Sequence, residues 1–350
     1  MKKRTLLFFF LFTLFLSAQK KATVVKVTID TIYSDKISIR ALDIKSNKIY
    51  FAGDKNRVGV VDLKTKQSKE KYLYHEGLQY EFRSIEVLKD SLIVASVGNP
   101  GVFFKVDNSL NYEDKERVVY YEKNEKVFYD SMKFWNEQEG IAIGDPIENC
   151  LCILITKDGG NTWKKISCNL LPKVEDGEAA FAASNTNIIL KGNKTWIVSG
   201  GKKARVFFSP DKGQTWEVFE TPITQGMSTT GIYTADFYNE NNGIIAGGDY
   251  TKPNGMTANK ATTKDGGKRW KLVSDGTGFG YASCVQYFPS GGGNKLLEVG
   301  GNGVFLSVDG GKNWKKVADD TSLYTIKFLN ESTAICAGNN KILRFRFSNL

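Results

Sequence analysis

The stretch TKDGGNTW at 156–163 recurs three more times in altered form: SPDKGQTW at 209–216, TKDGGKRW at 263–270 and SVDGGKNW at 307–314. The shared pattern is [ST]-x-D-x-G-x-x-W. Each copy follows a short apolar, β-rich run and precedes a second strand-like run such as KKI or KKV. Successive tryptophans lie 53, 54 and 44 residues apart. A period near 40–50 residues indicates a ring of blades with about four strands each. The motif therefore belongs in the hairpin joining the two outer strands of a blade.

Within that hairpin, Asp158, Asp211, Asp265 and Asp309 are placed to accept turn amides. Gly160, Gly213, Gly267 and Gly311 suit backbone positions needing positive φ. Trp163, Trp216, Trp270 and Trp314 are expected to fill the space between blades. A carboxylate repeated in every blade serves the blade, so these four receive a structural role rather than a catalytic or metal-binding one.

Outward from the motif, each repeat has a front half: an inner strand, a turn and a strand ending in Gly. It reads YDSMKFWNEQEGIAIGD from Tyr129, EAAFAASNTNIIL from Glu178, YTADFYNENNGIIAGGD from Tyr233, YASCVQYF from Tyr281 and YTIKFLNESTAICAG from Tyr324. Two earlier copies start at Ile39 and Phe82, with outer hairpins near Asp62 and Asp107 that have lost the motif. The count is seven blades in an all-β propeller. The last blade lacks room for four strands, and the alternating segment 23–32 has no blade of its own. It is expected to pair there and close the ring, which removes exposed edges.

The N-terminus reads as a secretory signal: Lys2, Lys3 and Arg4, an apolar run from Leu6 to Leu16, then Ser17 and Ala18. Residues 1–18 are the expected leader and 19–350 a single propeller domain, exported to the periplasm or secreted. No later segment has the length of a membrane helix. The chain has 350 residues and a formal charge of +10, spread over hairpin lysines rather than gathered in a nucleic-acid stripe. Five cysteines are an odd number, which excludes a full disulfide framework. Cys150 and Cys168 flank one hairpin symmetrically. A cross-strand bridge and two buried thiols are both open. No spacing of Cys and His suggests zinc, and the single His75 reads as a loop residue. No cofactor or metal is expected, and a monomer is.

Aligning the inner strands isolates one column: Arg40, Arg83, Asp130, Glu178, Tyr233, Tyr281 and Tyr324. In a ring these converge near one channel mouth. Adjacent guanidinium groups suit a carboxylate or phosphate, and tyrosines supply stacking walls with polar tips. The column has two readings: an anion, glycan or peptide pocket, or a plug in which the arginines pair with Asp130 and Glu178.

These motifs resemble the Asp-box, or BNR, repeat. The chain as a whole is similar to BNR-repeat propellers related to photosystem II stability/assembly factors. The resemblance rests on the inner strands with Arg40 and Arg83, GDP at 144–146, GEAAFAAS at 177–184, ARVFFS at 204–209 and GIIAGGDY at 243–250. It implies a seven-bladed exported propeller that binds a protein partner and assists assembly, with no established chemistry; bacterial relatives often carry oxidoreductase or sialidase-like labels. A sialidase needs three arginines, a tyrosine–glutamate pair and an acid. The column lacks the third arginine, and Arg205 sits on an outer strand. The Gly-rich stretch 291–303 has no following helix, so no dinucleotide fold is implied. The expected function is a non-catalytic binding or assembly scaffold contacting a protein, glycan or anionic ligand at the mouth. A sialidase-like exo-glycosidase acting on an anionic glycan is the alternative.

Overall fold

A computed structural model describes residues 25–350, so the expected leader at 1–18 lies outside the described residues. The fold is an all-β propeller. Its strands form six hydrogen-bonded sheets, four with four strands and two with six. Seven separate blades were expected, and the lower count is a correction with a simple cause. One long strand, Lys26–Lys45, serves two neighbours. Its first part pairs with Lys341–Ser348, from Lys26 opposite Ser348 to Ser34 opposite Lys341. Its second part pairs with Lys48–Gly53. A single hydrogen-bonded sheet thus runs through what the sequence divides into two repeats. The strand Thr333–Ser348 also doubles back on itself at Asn340, whose φ is 66°. At the open end of that hairpin the Phe347 amide donates to the Ser332 carbonyl at 2.8 Å.

Burial follows the period-2 pattern of strands lying between packed neighbours. Strands such as Leu296–Gly300 and Gly140–Gly144 are buried throughout. Their alternate side chains enter different inter-sheet clusters: Leu296 packs with Phe279 and Phe305, while Leu297 packs with Phe345 and Phe347.

The repeated hairpins hold their shape by a common hydrogen-bond set. Asp158 Oδ1 accepts from the Thr156 hydroxyl and the Thr162 amide, both at 2.9 Å, and Thr156 Oγ1 accepts the Gly160 amide at 2.9 Å. Asp211, Asp265 and Asp309 repeat the arrangement with Ser209, Thr263 and Ser307. Burial alone would raise these carboxyl pKa values; the turn hydrogen bonds outweigh it and hold all four below the usual range, Asp265 at about 2. Gly160, Gly213, Gly267 and Gly311 take φ between 73° and 89°, values that an L side chain adopts only with strain. The indole N–H groups of Trp216, Trp270 and Trp314 donate to Gly213, Gly267 and Gly311 at 3.1, 2.8 and 2.9 Å.

Candidate functional site: the arginine–tyrosine mouth

Six inner strands share a local defect that builds the site. In each, the pairing register skips one residue: Arg40, Arg83, Asp130, Tyr233, Ser283 and Tyr324. A bulge twists the strand and re-aims the extra side chain, here at the channel end. Tyr281 was expected at the equivalent position of its repeat. The register gives that place to Ser283, two residues later, and Tyr281 reaches the mouth from the preceding turn.

The mouth is a cavity of about 530 Å³ lined by Arg40, Arg83, Tyr233, Tyr281 and Tyr324, together with Asp145, Phe181 and Tyr250. Phe181 stacks on Tyr233 with centroids 4.0 Å apart and planes within 5°. Tyr281 and Tyr250 meet Tyr233 edge-on at 4.8 and 6.4 Å. The Arg40 guanidinium lies over the Tyr324 ring at 3.9 Å, a cation–π contact. Burial and then the neighbouring Arg83 cation lower the Arg40 pKa.

Neither arginine pairs as the plug reading required. Arg83 Nε donates to Glu81 Oε1 at 2.8 Å, a carboxylate just outside the column. The terminal groups of Arg40 and Arg83 donate to the Ala183 and Ala182 carbonyls, each at 3.2 Å. Arg40 Nε has no hydrogen-bond partner.

Glu178 is a correction. It is buried away from the mouth, its carboxylate held by Arg205 Nε and Nη2 at 3.0 and 2.5 Å and by the Ser199 hydroxyl at 2.6 Å. The fourth repeat begins its inner pairing only near Asn187, whose carbonyl accepts the Val198 amide. Residues 181–186 cross the channel instead. Ser184 donates to the Ser283 carbonyl and accepts at its own carbonyl from Thr325; Asn185 bonds Ser131 and the Ile85 carbonyl; Thr186 meets Thr234. This crossing gives the mouth a floor made of protein.

Asp130 lies under that floor, fully buried, with neither oxygen in a hydrogen bond of ordinary geometry. Burial, then the Asp145 charge, raises its pKa well above the usual carboxylate range, with Arg83 opposing. Asp145 lines the cavity and accepts the Ala180 amide at 2.9 Å. Its own burial raises it to about 6 despite that bond.

Sequence reasoning missed Asp145, Phe181 and Tyr250. The GDP at 144–146, GEAAFAAS and the long 250–260 loop were conspicuous, but their convergence depends on the channel crossing. Cys150 and Cys168 are joined as a disulfide with Cα atoms 5.7 Å apart. The other cysteines, Cys152, Cys284 and Cys336, are free and buried. Among the described residues no group of three or more His, Cys, Asp or Glu side chains could hold a metal ion, and no helix is long and apolar enough to cross a membrane.

Fold and mouth together define a β-propeller with a blind, polar–aromatic pocket at one end of its channel. Solved structures of the same shape include one described as YCF48 bound to D1 peptide, with a TM-score of 0.65 and 16% identity over 92% of this chain and 97% of that one. YCF48 from Cyanidioschyzon merolae superposes with a TM-score of 0.66 and 14% identity, covering 91% and 98%. The WD40 β-propeller domain of Doa1 gives 0.63 and 10%, covering 94% and 98%. These identities define a shared fold. No family model matches the sequence, and no curated protein matches it.

Proposed function

We propose that this chain is a non-catalytic propeller that acts as a binding or assembly scaffold and takes a protein partner at the arginine–tyrosine mouth. The observation that carries the reading is Arg40. Its guanidinium is half-buried beside a second cation, with one nitrogen unpartnered and no carboxylate within ion-pair distance among the described residues. An arriving anion relieves that arrangement, and the tyrosine wall supplies apolar contact around it. A neighbour of the same fold was solved with a peptide, which supports a polypeptide partner over a glycan. Relationship to the photosystem II assembly-factor propellers, with their Asp-box repeats, is part of the same proposal, carried by the motifs and the shared shape.

The glycosidase alternative loses its groups here. Glu178 is occupied by Arg205, and Asp130 is sealed under the channel crossing. Three further points belong to the proposal. Residues 26–34 close the ring against 341–348. The chain works as a monomer. It is exported, in keeping with the leader-like N-terminus and a Cys150–Cys168 disulfide, a bond typical of oxidising compartments.

The test is capture from the exported fraction with wild type and an Arg40→Ala/Arg83→Ala double variant. The captured protein is then titrated, purified, against both. The expected result is a partner bound by wild type and lost from the folded double variant. Equal binding by both would move the partner off the mouth. Turnover of fluorogenic sialosides that disappears with Arg40→Ala would establish the enzyme.

A further inference from the structure

The outer side of the third repeat carries a second cavity that the mouth does not explain, a groove of about 670 Å³. Ile155, Trp163 and Leu170 give it apolar surface, and Lys157, Lys164 and Lys212 give it cations. Leu170 is 71% exposed. It ends a short 3-10 turn, Cys168–Leu170, that buries none of its residues and is tied by the Cys150–Cys168 disulfide. Packing gives no reason for a leucine there.

Trp163 differs from its three counterparts. Their indole N–H groups are each answered by a glycine carbonyl of their own hairpin. The Trp163 indole N–H has no acceptor, although the residue is 8% exposed and packs against Phe103 and Phe134.

The cations of the groove are unevenly balanced. Lys212 is answered by Glu139 at 2.5 Å, and Lys165, which also lines the groove, by Glu122. Lys157 and Lys164 are exposed, and among the described residues no carboxylate stands within ion-pair distance of either. The edge strand here, Lys164–Lys165, is two residues long and pairs inward with Leu154 and Ile155. It is the last strand of its sheet, so its outward backbone groups are open to another strand.

We propose that this groove docks an acidic peptide segment in extended form. The segment's carboxylates meet Lys157 and Lys164, an apolar side chain rests on Leu170 and Trp163, and its backbone runs along the short edge strand. Charge complementarity sets the sign of the partner. The open strand edge sets its conformation, since an added strand gains main-chain hydrogen bonds there. The surface is distinct from the mouth and does not depend on it.

A displayed random peptide library, selected on the folded protein, tests the proposal. The expected result is enrichment of peptides rich in Asp and Glu around an apolar residue. Measured by fluorescence anisotropy, an enriched peptide should bind about tenfold more weakly to Lys157→Glu/Lys164→Glu. It should bind similarly more weakly to Leu170→Asp and in raised salt, and with unchanged affinity to Arg40→Ala/Arg83→Ala. The three side chains changed in the groove variants, Lys157, Lys164 and Leu170, are all exposed, and each variant is first checked for an unaltered melt. Enrichment without acidic bias, an enriched peptide insensitive to the groove changes, or no saturable binding at all would overturn the proposal. Tighter binding of single-stranded oligonucleotide than of any peptide would do the same. Sensitivity to the Arg40/Arg83 change alone would assign the peptide to the mouth.

Discussion

The two ends of the channel are built from the same inner strands, three residues apart, and they solve their electrostatics differently. At the mouth Arg40, Arg83 and Tyr324 face a cavity. Three residues further along each strand stand Asp43, Glu86 and Lys327, with Lys133 after Asp130 and Asp236 after Tyr233. Here the charges answer one another. Lys133 bonds Glu86 at 2.6 Å and Lys327 meets Asp43 at 3.4 Å. The Asp43 and Asp236 carboxylates also accept the Val87 and Tyr287 amides of neighbouring repeats at 2.9 and 2.7 Å. Burial would lower the Lys327 pKa, but Asp43 and Glu86 outweigh it and hold it above the ordinary lysine value. A satisfied ring fastens repeats together; a cation left unanswered is available to a ligand. Charge in a propeller channel is thus read by its partners, not by its presence.

The strongest way to break this comparison is Lys133→Met at the satisfied end. It leaves Glu86 buried without its hydrogen-bonded cation, with Lys327 alone nearby, and burial already pushes that carboxyl up. A stability loss of about 3 kcal/mol is expected in chemical denaturation, with mouth binding intact in the folded fraction. A neutral effect would remove the ring's fastening role.

The converse change is Arg40→Ala/Arg83→Ala at the mouth. Partner affinity should fall by about a hundredfold, while the unfolding midpoint stays near wild type. A large drop in stability with unchanged affinity would make the arginines channel fasteners after all.

Asp265→Ala sharpens the contrast between a repeated feature and a unique one. It removes the hydrogen bonds to Thr263 and Arg269 and should cost roughly 1–2 kcal/mol of stability without touching binding. Binding lost at full stability would give the repeated aspartates a role at the site.

The smallest effect concerns pH. Burial pushes the Asp145 carboxyl up to about 6 from the usual carboxylate value. The folded state therefore holds its proton more tightly than the unfolded chain. That contribution is fully present below the unfolded value and is lost as pH rises through 6. Between pH 4 and 6.5 the melting temperature of wild type should fall relative to Asp145→Asn. Parallel curves for the two proteins would show that Asp145 ionises freely.

The repeat arithmetic made the architecture legible because a strand hairpin with a fixed turn prints its own signature. Asp, Gly and Trp are demanded locally, by turn amides, positive φ and inter-blade space. Arg40, Arg83, Tyr233 and Tyr324 were legible for a related reason: inner strands in register place equivalent residues at one channel end. Tyr281 reached the mouth from the wrong register position, since a bulge adds a residue that a pattern of alternation does not register. Glu178 failed for a larger reason. In the fourth repeat the chain leaves the inner-strand pattern and crosses the channel, and no local propensity announces that. The crossing is held by Ser184, Asn185 and Thr186 through partners 48 to 141 residues away.

The repeated hairpins, the all-β class and the strand faces could be read from the residues alone, because these depend on interactions within a few residues or on a period of two. The channel floor, the pairing of Glu178 with Arg205, the place of Asp145, Phe181 and Tyr250 at the mouth and the count of six sheets emerge only in the assembled fold. Each of those depends on which distant groups meet after the ring forms, and the satisfaction of buried charges and amides is settled only there.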